Sequence, residues 1–201
     1  VLRHERRQIR IMGLGVLFVG YLLRILNFVR PEYTDLIAFG MMGYALWKLR
    51  PYNAYFRYSF GLTVSMALWG AYRLAAAFFP IDETLAGALG IGIVNYTSVQ
   101  NYADMLLWFA FHILLCRAIY DLAREVGLLR ICRRAAWVIV MCMAYYLIGL
   151  TLDGLYFIDI VARISPYFQY PLFFFRLLWQ LYCAVMLYSA YAKISFDGEA
   201  T

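Results

Sequence analysis

Apolar side chains run along this chain in stretches far longer than a soluble strand or core helix needs, and short polar segments separate them. A helix that crosses the hydrocarbon layer takes about 20 mostly apolar residues. Residues 11–29, 58–79, 103–120, 135–152 and 170–191 meet that requirement. A sixth stretch, 33–49, is shorter in its apolar part, and Lys48 completes it by snorkelling from its end. Pro31 and Asp35 mark where this stretch starts, and Pro171 fits the first turn of the last one. The pattern predicts an all-α, polytopic membrane helix bundle, with six transmembrane helices in one domain over 1–201.

One further segment, about 84–99, carries no charge. Gly87, Gly90 and Gly92 weaken its first half as a helix, and Asn95 to Asn101 is too polar for lipid. The cationic residues decide how to read it. With six spans and the N-terminus inside, thirteen Lys and Arg fall on cytoplasmic segments: Arg3 to Arg10, Lys48 to Arg57, Arg117 to Arg134, and Lys193. Only Arg30 and Arg163 fall outside. Such a bias orients membrane proteins with the positive side in. A seventh span would move Arg117 to Arg134 outside, so 84–99 is expected to be an outer half-helix or a re-entrant segment. Both termini are then cytoplasmic, and 117–134 and 153–169 are expected as the loops before the last two spans.

Composition agrees with this reading. The chain is 65% hydrophobic and 15% charged, with mean hydropathy +0.68. Soluble domains carry roughly 25% charged residues. These values exclude an ordinary cytosolic enzyme, a disordered tail and a nucleic-acid-binding module. The net charge of +6 follows from topology and contact with anionic membrane lipids, so no nucleic acid partner is expected.

Known catalytic patterns are absent: there is no H-E-x-x-H, G-x-S-x-G or Walker A lysine. His112 shares a helix face with Cys116, and Cys142 and Cys183 lie in other spans. These four read as a hydrogen-bonded core histidine among buried thiols, so no metal and no cofactor is expected.

Three arginines lie inside spans: Arg24, Arg73 and Arg176. Counted from the span ends, each sits roughly 8–9 Å below the outer boundary. Ionisable residues inside a membrane are costly and by default mark a site or a pair. Asn27 and Gln180 share faces with Arg24 and Arg176, and Asp104 stands at the outer end of its own span. Arg24, Asn27, Arg73, Asp104, Arg176 and Gln180 are therefore the candidate ligand-binding residues, expected to line one outward-facing cavity for a small anionic ligand. Snorkelling to lipid phosphates, or pairing with aspartates, would explain the same arginines without a ligand. Ala67, Ala71 and Ala75 repeat at a spacing that lets helices approach closely, within the bundle or against a partner membrane subunit.

The stretch from Tyr21 to Ser59 includes Asp35-Leu-Ile-Ala-Phe-Gly-Met-Met-Gly-Tyr44 and Tyr52-Asn-Ala-Tyr-Phe-Arg57. It resembles small polytopic membrane proteins of Gram-positive bacteria with no assigned activity, which implies a bacterial inner (cell) membrane location. In architecture alone, six spans with a small-residue stripe are similar to the substrate-binding subunits of energy-coupling-factor transporters. The expected function is binding of an anionic solute or lipid headgroup, in transport or sensing. A non-catalytic accessory subunit is the alternative. A lipid-modifying enzyme using Asp104, Asp153 or His112 ranks last, because no motif pairs two catalytic groups.

Overall fold

The computed structural model describes the backbone of residues 2–26, 31–90, 92–154 and 159–196, and the side chains of 13–26, 33–90, 92–94, 96–152 and 166–193. Among them it is all-helical. In chain order the helices are α1 (Leu2–Ile25), α2 (Pro31–Leu49), α3 (Ala54–Phe78), α4 (Ile81–Leu89), α5 (Ile93–Glu125), α6 (Leu129–Gly154) and α7 (Asp159–Phe196). Each long helix packs on its neighbours in the order α1, α2, α3, α5, α6, α7, and α7 returns to α1. The result is a closed ring of six helices, with α4 seated on α3 and α5.

Three helical segments are long and apolar enough to cross a membrane: Tyr96–Glu125, Leu129–Leu152 and Pro166–Lys193. Helices α3 and α4 pass that test together, as a pair bent by 104°. Gly13–Ile25 is a shorter apolar helix. The chain thus has the character of a membrane protein with three to four candidate spans among the described residues.

Local chemistry sets the breaks. Asn53 starts α3, its Oδ1 accepting the Tyr55 N–H at 2.8 Å. Pro80 ends α3, because proline has no N–H to continue the ladder, and the chain turns sharply into α4. Gly90, at φ 67°, closes α4 in the left-handed conformation that glycine adopts without strain.

Packing between α1 and α2 depends on small residues. A Cβ on Gly20 would stand 3.1 Å from the Ala38 carbonyl oxygen and 3.0 Å from Met42 Cγ. Small residues let the two backbones approach closely, and the dispersion contacts this allows help to hold the pair. The ring's interior is filled by Leu17, Tyr21, Met42, Phe111, Leu115, Trp179 and Leu187, all fully or almost fully buried.

Several element boundaries differ from those the apolar pattern predicts. The half-helix expected at 84–99 is α4 alone, and it ends at Leu89. The polar stretch that follows belongs not to that half-helix but to the first turns of α5, which runs 33 residues. Tyr96 and Gln100 find partners on α3 and α4, as described below, and Thr97 and Ser98 bond to the Val94 carbonyl of α5 itself, so the hydropathy of the segment underestimates its helicity. The predicted loop 117–134 is almost entirely helical, closed by a turn at 126–128. Likewise α7 starts at Asp159 and passes through Pro166 and Pro171, so Pro171 is an interior residue of a 38-residue helix and not a first-turn residue. Ala67 packs against the bundle's own core, whereas Ala71 is exposed.

Candidate functional site

Helices α1, α5 and α7 enclose a cavity of about 230 Å³. Its lining combines Arg24, Arg176 and Gln180 with Tyr21, Ile25, Trp108, Phe173 and Leu177. Three of the residues proposed from sequence therefore meet here. Asn27 lies outside the described residues. Arg73 and Asp104 line a second cavity of about 310 Å³ between α3, α4 and α5, together with Trp69, Ala76, Ala77, Asp82, Thr97, Gln100 and Asn101. The single cavity expected from equal depth is thus two cavities. Depth along a helix fixes height but not direction, and Arg73 points to the α4 side of α5.

Charge nevertheless links the two. Arg24 lies within electrostatic range of Asp35, Asp104, Arg176 and Arg73, which come from four other helices. Its Nε stands 3.1 Å from Asp35 Oδ1, and its guanidinium lies 5.0 Å from the Trp108 ring centroid. Arg24 therefore sits between a carboxylate and an aromatic face, while its buried Nε makes no hydrogen bond. Arg176 and Arg73 make no ion pair with any described residue. Asp104 makes neither ion pair nor hydrogen bond there, and the Gln180 amide is without a hydrogen bond as well. Trp108, 6% exposed, lines the first cavity, and its indole N–H has no acceptor. Trp69 lines the second, and its N–H is buried without an acceptor too.

Two residues that line the first cavity, Tyr21 and Trp108, are bonded to one buried histidine. The Tyr21 hydroxyl lies 2.9 Å from His112 Nε2, and His112 Nδ1 lies 2.7 Å from the Trp108 carbonyl oxygen. A carbonyl only accepts, so Nδ1–H donates, and a neutral ring takes the Tyr21 O–H at Nε2. Trp179 packs edge-on against the imidazole at 4.7 Å. Both nitrogens being engaged, His112 orients Tyr21 and Trp108 and is not free to exchange protons with a ligand. Among the described residues no group of three or more His, Cys, Asp or Glu side chains is placed to hold a metal.

A hydrogen-bonded cluster holds the wall of the second cavity. The Tyr72 hydroxyl donates to Asp82, Gln100 Nε2 donates to Asp82 at 3.0 Å, and Tyr72 and Tyr96 share a bond of 2.8 Å. These bonds tie α3, α4 and α5 together just past the bend. They give Tyr96 and Gln100, at the polar start of α5, their partners.

The residues missing from the sequence-based set are Trp108 and the run Thr97, Gln100 and Asn101. A signal existed. Positions 97, 100, 101, 104 and 108 recur at helical spacing, so one face of α5 passes from polar to aromatic. Placing 95–101 in a half-helix apart from the span that begins at 103 hides that continuity. Comparison of the chain with protein-family models, curated proteins and solved structures finds no match.

Proposed function

We propose that this chain is a six-span protein of the bacterial inner (cell) membrane, with both termini cytoplasmic and an outward-facing site for a small anionic solute or a lipid headgroup, acting in transport or sensing. The reading rests on one observation: Arg176 and Arg24 line the same cavity, and Arg176 has no carboxylate partner among the described residues. Two guanidiniums in a poorly solvated site repel, and a bound anion relieves that repulsion with bidentate hydrogen bonds. Gln180 and Trp108 add unused donors. Six long helices in one ring support the six-span count, and α2, at 19 residues, has about the length that the hydrocarbon layer requires.

The test is titration of the purified protein, in neutral detergent, with short-chain phosphatidylglycerol and with inorganic phosphate. Saturable binding of either, weakened tenfold or more by Arg176→Gln, is the expected result. Absence of binding by both, or binding indifferent to Arg176→Gln, overturns the reading. The Arg24–Asp35 pair favours the accessory-subunit alternative, since an internal ion pair needs no ligand. That alternative accounts for Arg24 by pairing, and leaves Arg73 and Arg176 to snorkelling.

A further inference from the structure

The two cavities differ in sign. In the first, Arg24 and Arg176 outweigh any acid in the lining. In the second, Asp82 and Asp104 outnumber Arg73, with side-chain oxygens of Thr97, Gln100 and Asn101 beside them. One helix face joins them. Asp104 lines the second cavity, and Trp108, one turn further along α5, lines the first. Four residues of helix advance about 6 Å. Asp104 also acts electrostatically on Arg24, so the acid belongs to the arginine site's field and not to a remote patch.

Asp104 is only half-buried, yet it is unused: it accepts no hydrogen bond and forms no ion pair with a described residue, although Arg73 lines the same cavity. Asp82, by contrast, is occupied by Tyr72 and Gln100. At the other end, the Trp108 indole N–H is buried without an acceptor, and Arg176 has no ion pair with a described residue. A carboxylate without an ion pair among the described residues, one helical turn from a Trp108 that lines the cavity of Arg24 and Arg176, matches a ligand with both charges.

Building on the anion site proposed above, we infer that its ligand is zwitterionic, an aminoethyl phosphate unit whose phosphate lies on Arg24 and Arg176 and whose ammonium lies on Asp104. Such a unit is about as long as one helical turn, about 5 Å. Trp69 and Trp108 bring aromatic surface to each cavity, which suits an ammonium as well as excluding water. Phe173, on the first cavity's rim, is 53% exposed on the bundle's flank, where acyl chains would lie if the unit is a lipid headgroup.

The experiment compares three probes on purified full chain in neutral detergent: short-chain phosphatidylethanolamine, short-chain phosphatidylglycerol and soluble phosphoethanolamine. Phosphatidylethanolamine is expected to bind about tenfold more tightly than phosphatidylglycerol. Asp104→Asn should weaken phosphatidylethanolamine about tenfold and strengthen phosphatidylglycerol, an opposed pair of shifts that misfolding does not produce. Arg176→Gln should weaken both. Soluble phosphoethanolamine binding as tightly as the lipid supports the inference and assigns it to a free solute; much weaker binding assigns it to a headgroup. Equal binding of the two lipids, with Asp104→Asn without effect, overturns the ammonium subsite and leaves the anion site standing. Failure of all three probes to bind overturns both.

Discussion

Arg24 Nε and Asp35 Oδ1 stand 3.1 Å apart, joining α1 to α2 beside the first cavity, with both side chains largely buried. A buried pair of this kind adds little net stability over apolar replacements, but removing one partner strands the other's charge. Asp35→Ala is expected to cost about 3 kcal/mol. The double replacement Arg24→Met with Asp35→Leu should recover most of it. Reversible unfolding in mixed micelles measures both, and a single variant as stable as the parent would show the pair to be idle.

Tyr21→Phe removes the donor to His112 Nε2 without changing the packing volume. The imidazole then keeps an unsatisfied buried acceptor, at a cost of about 1–2 kcal/mol. The same variant should blur ligand binding, because Tyr21 lines the cavity as well as carrying that bond. Thermal unfolding and a binding titration read the two effects separately.

The cluster around Asp82 holds α4 at its 104° bend. Tyr72→Phe loses one hydrogen bond to the carboxylate, worth roughly 1 kcal/mol at this partly exposed position. Amide exchange over Ile81–Leu89 is expected to quicken severalfold while that of α6 stays the same. Uniform exchange in both proteins would mean that α4 is held by other contacts.

Gly20→Val drives a branched side chain into the Ala38 carbonyl and Met42. Backbone cannot give way as a flexible side chain can, so a loss of about 1–3 kcal/mol is expected. Gly40, with open space around its Cβ direction, is the control: Gly40→Ala should be neutral or slightly stabilising.

For the proposed topology, single cysteines are introduced after the 4 native ones are replaced. An impermeant thiol reagent applied from outside should label Asn101→Cys and miss Glu125→Cys. The reverse pattern would invert the orientation and remove the outward-facing site.

The long apolar runs made the helical class and most helix centres readable from sequence, because 20-residue apolar stretches have few alternative explanations. Helix ends were less readable. The polar turns from 95 to 101 carry side chains that lipid would reject, yet Gln100 and Tyr96 bond to α3 and α4 and the helix continues. Likewise Pro171 reads as a start signal locally, but α7 is already several turns long there. Within the site, equal depth drew attention to Arg24 and Arg176, which line one cavity. It failed to separate Arg73, because rotation about the helix axis depends on which neighbour each face meets, and that is a property of the whole ring.

The closed ring has one seam unlike the others. Every other neighbouring pair is joined by a short stretch of chain or, for α3 and α5, by α4. Helices α1 and α7 meet without any such tether, through antiparallel contacts that run from Gly15 against Tyr191 to Phe18 against Tyr188. Parting them stretches no connection and costs only side-chain packing. That seam ends at Arg24 and Ile25 on one side and Phe173, Arg176 and Leu177 on the other, the lining of the first cavity. The cheapest way to open the molecule sideways therefore leads into its arginines.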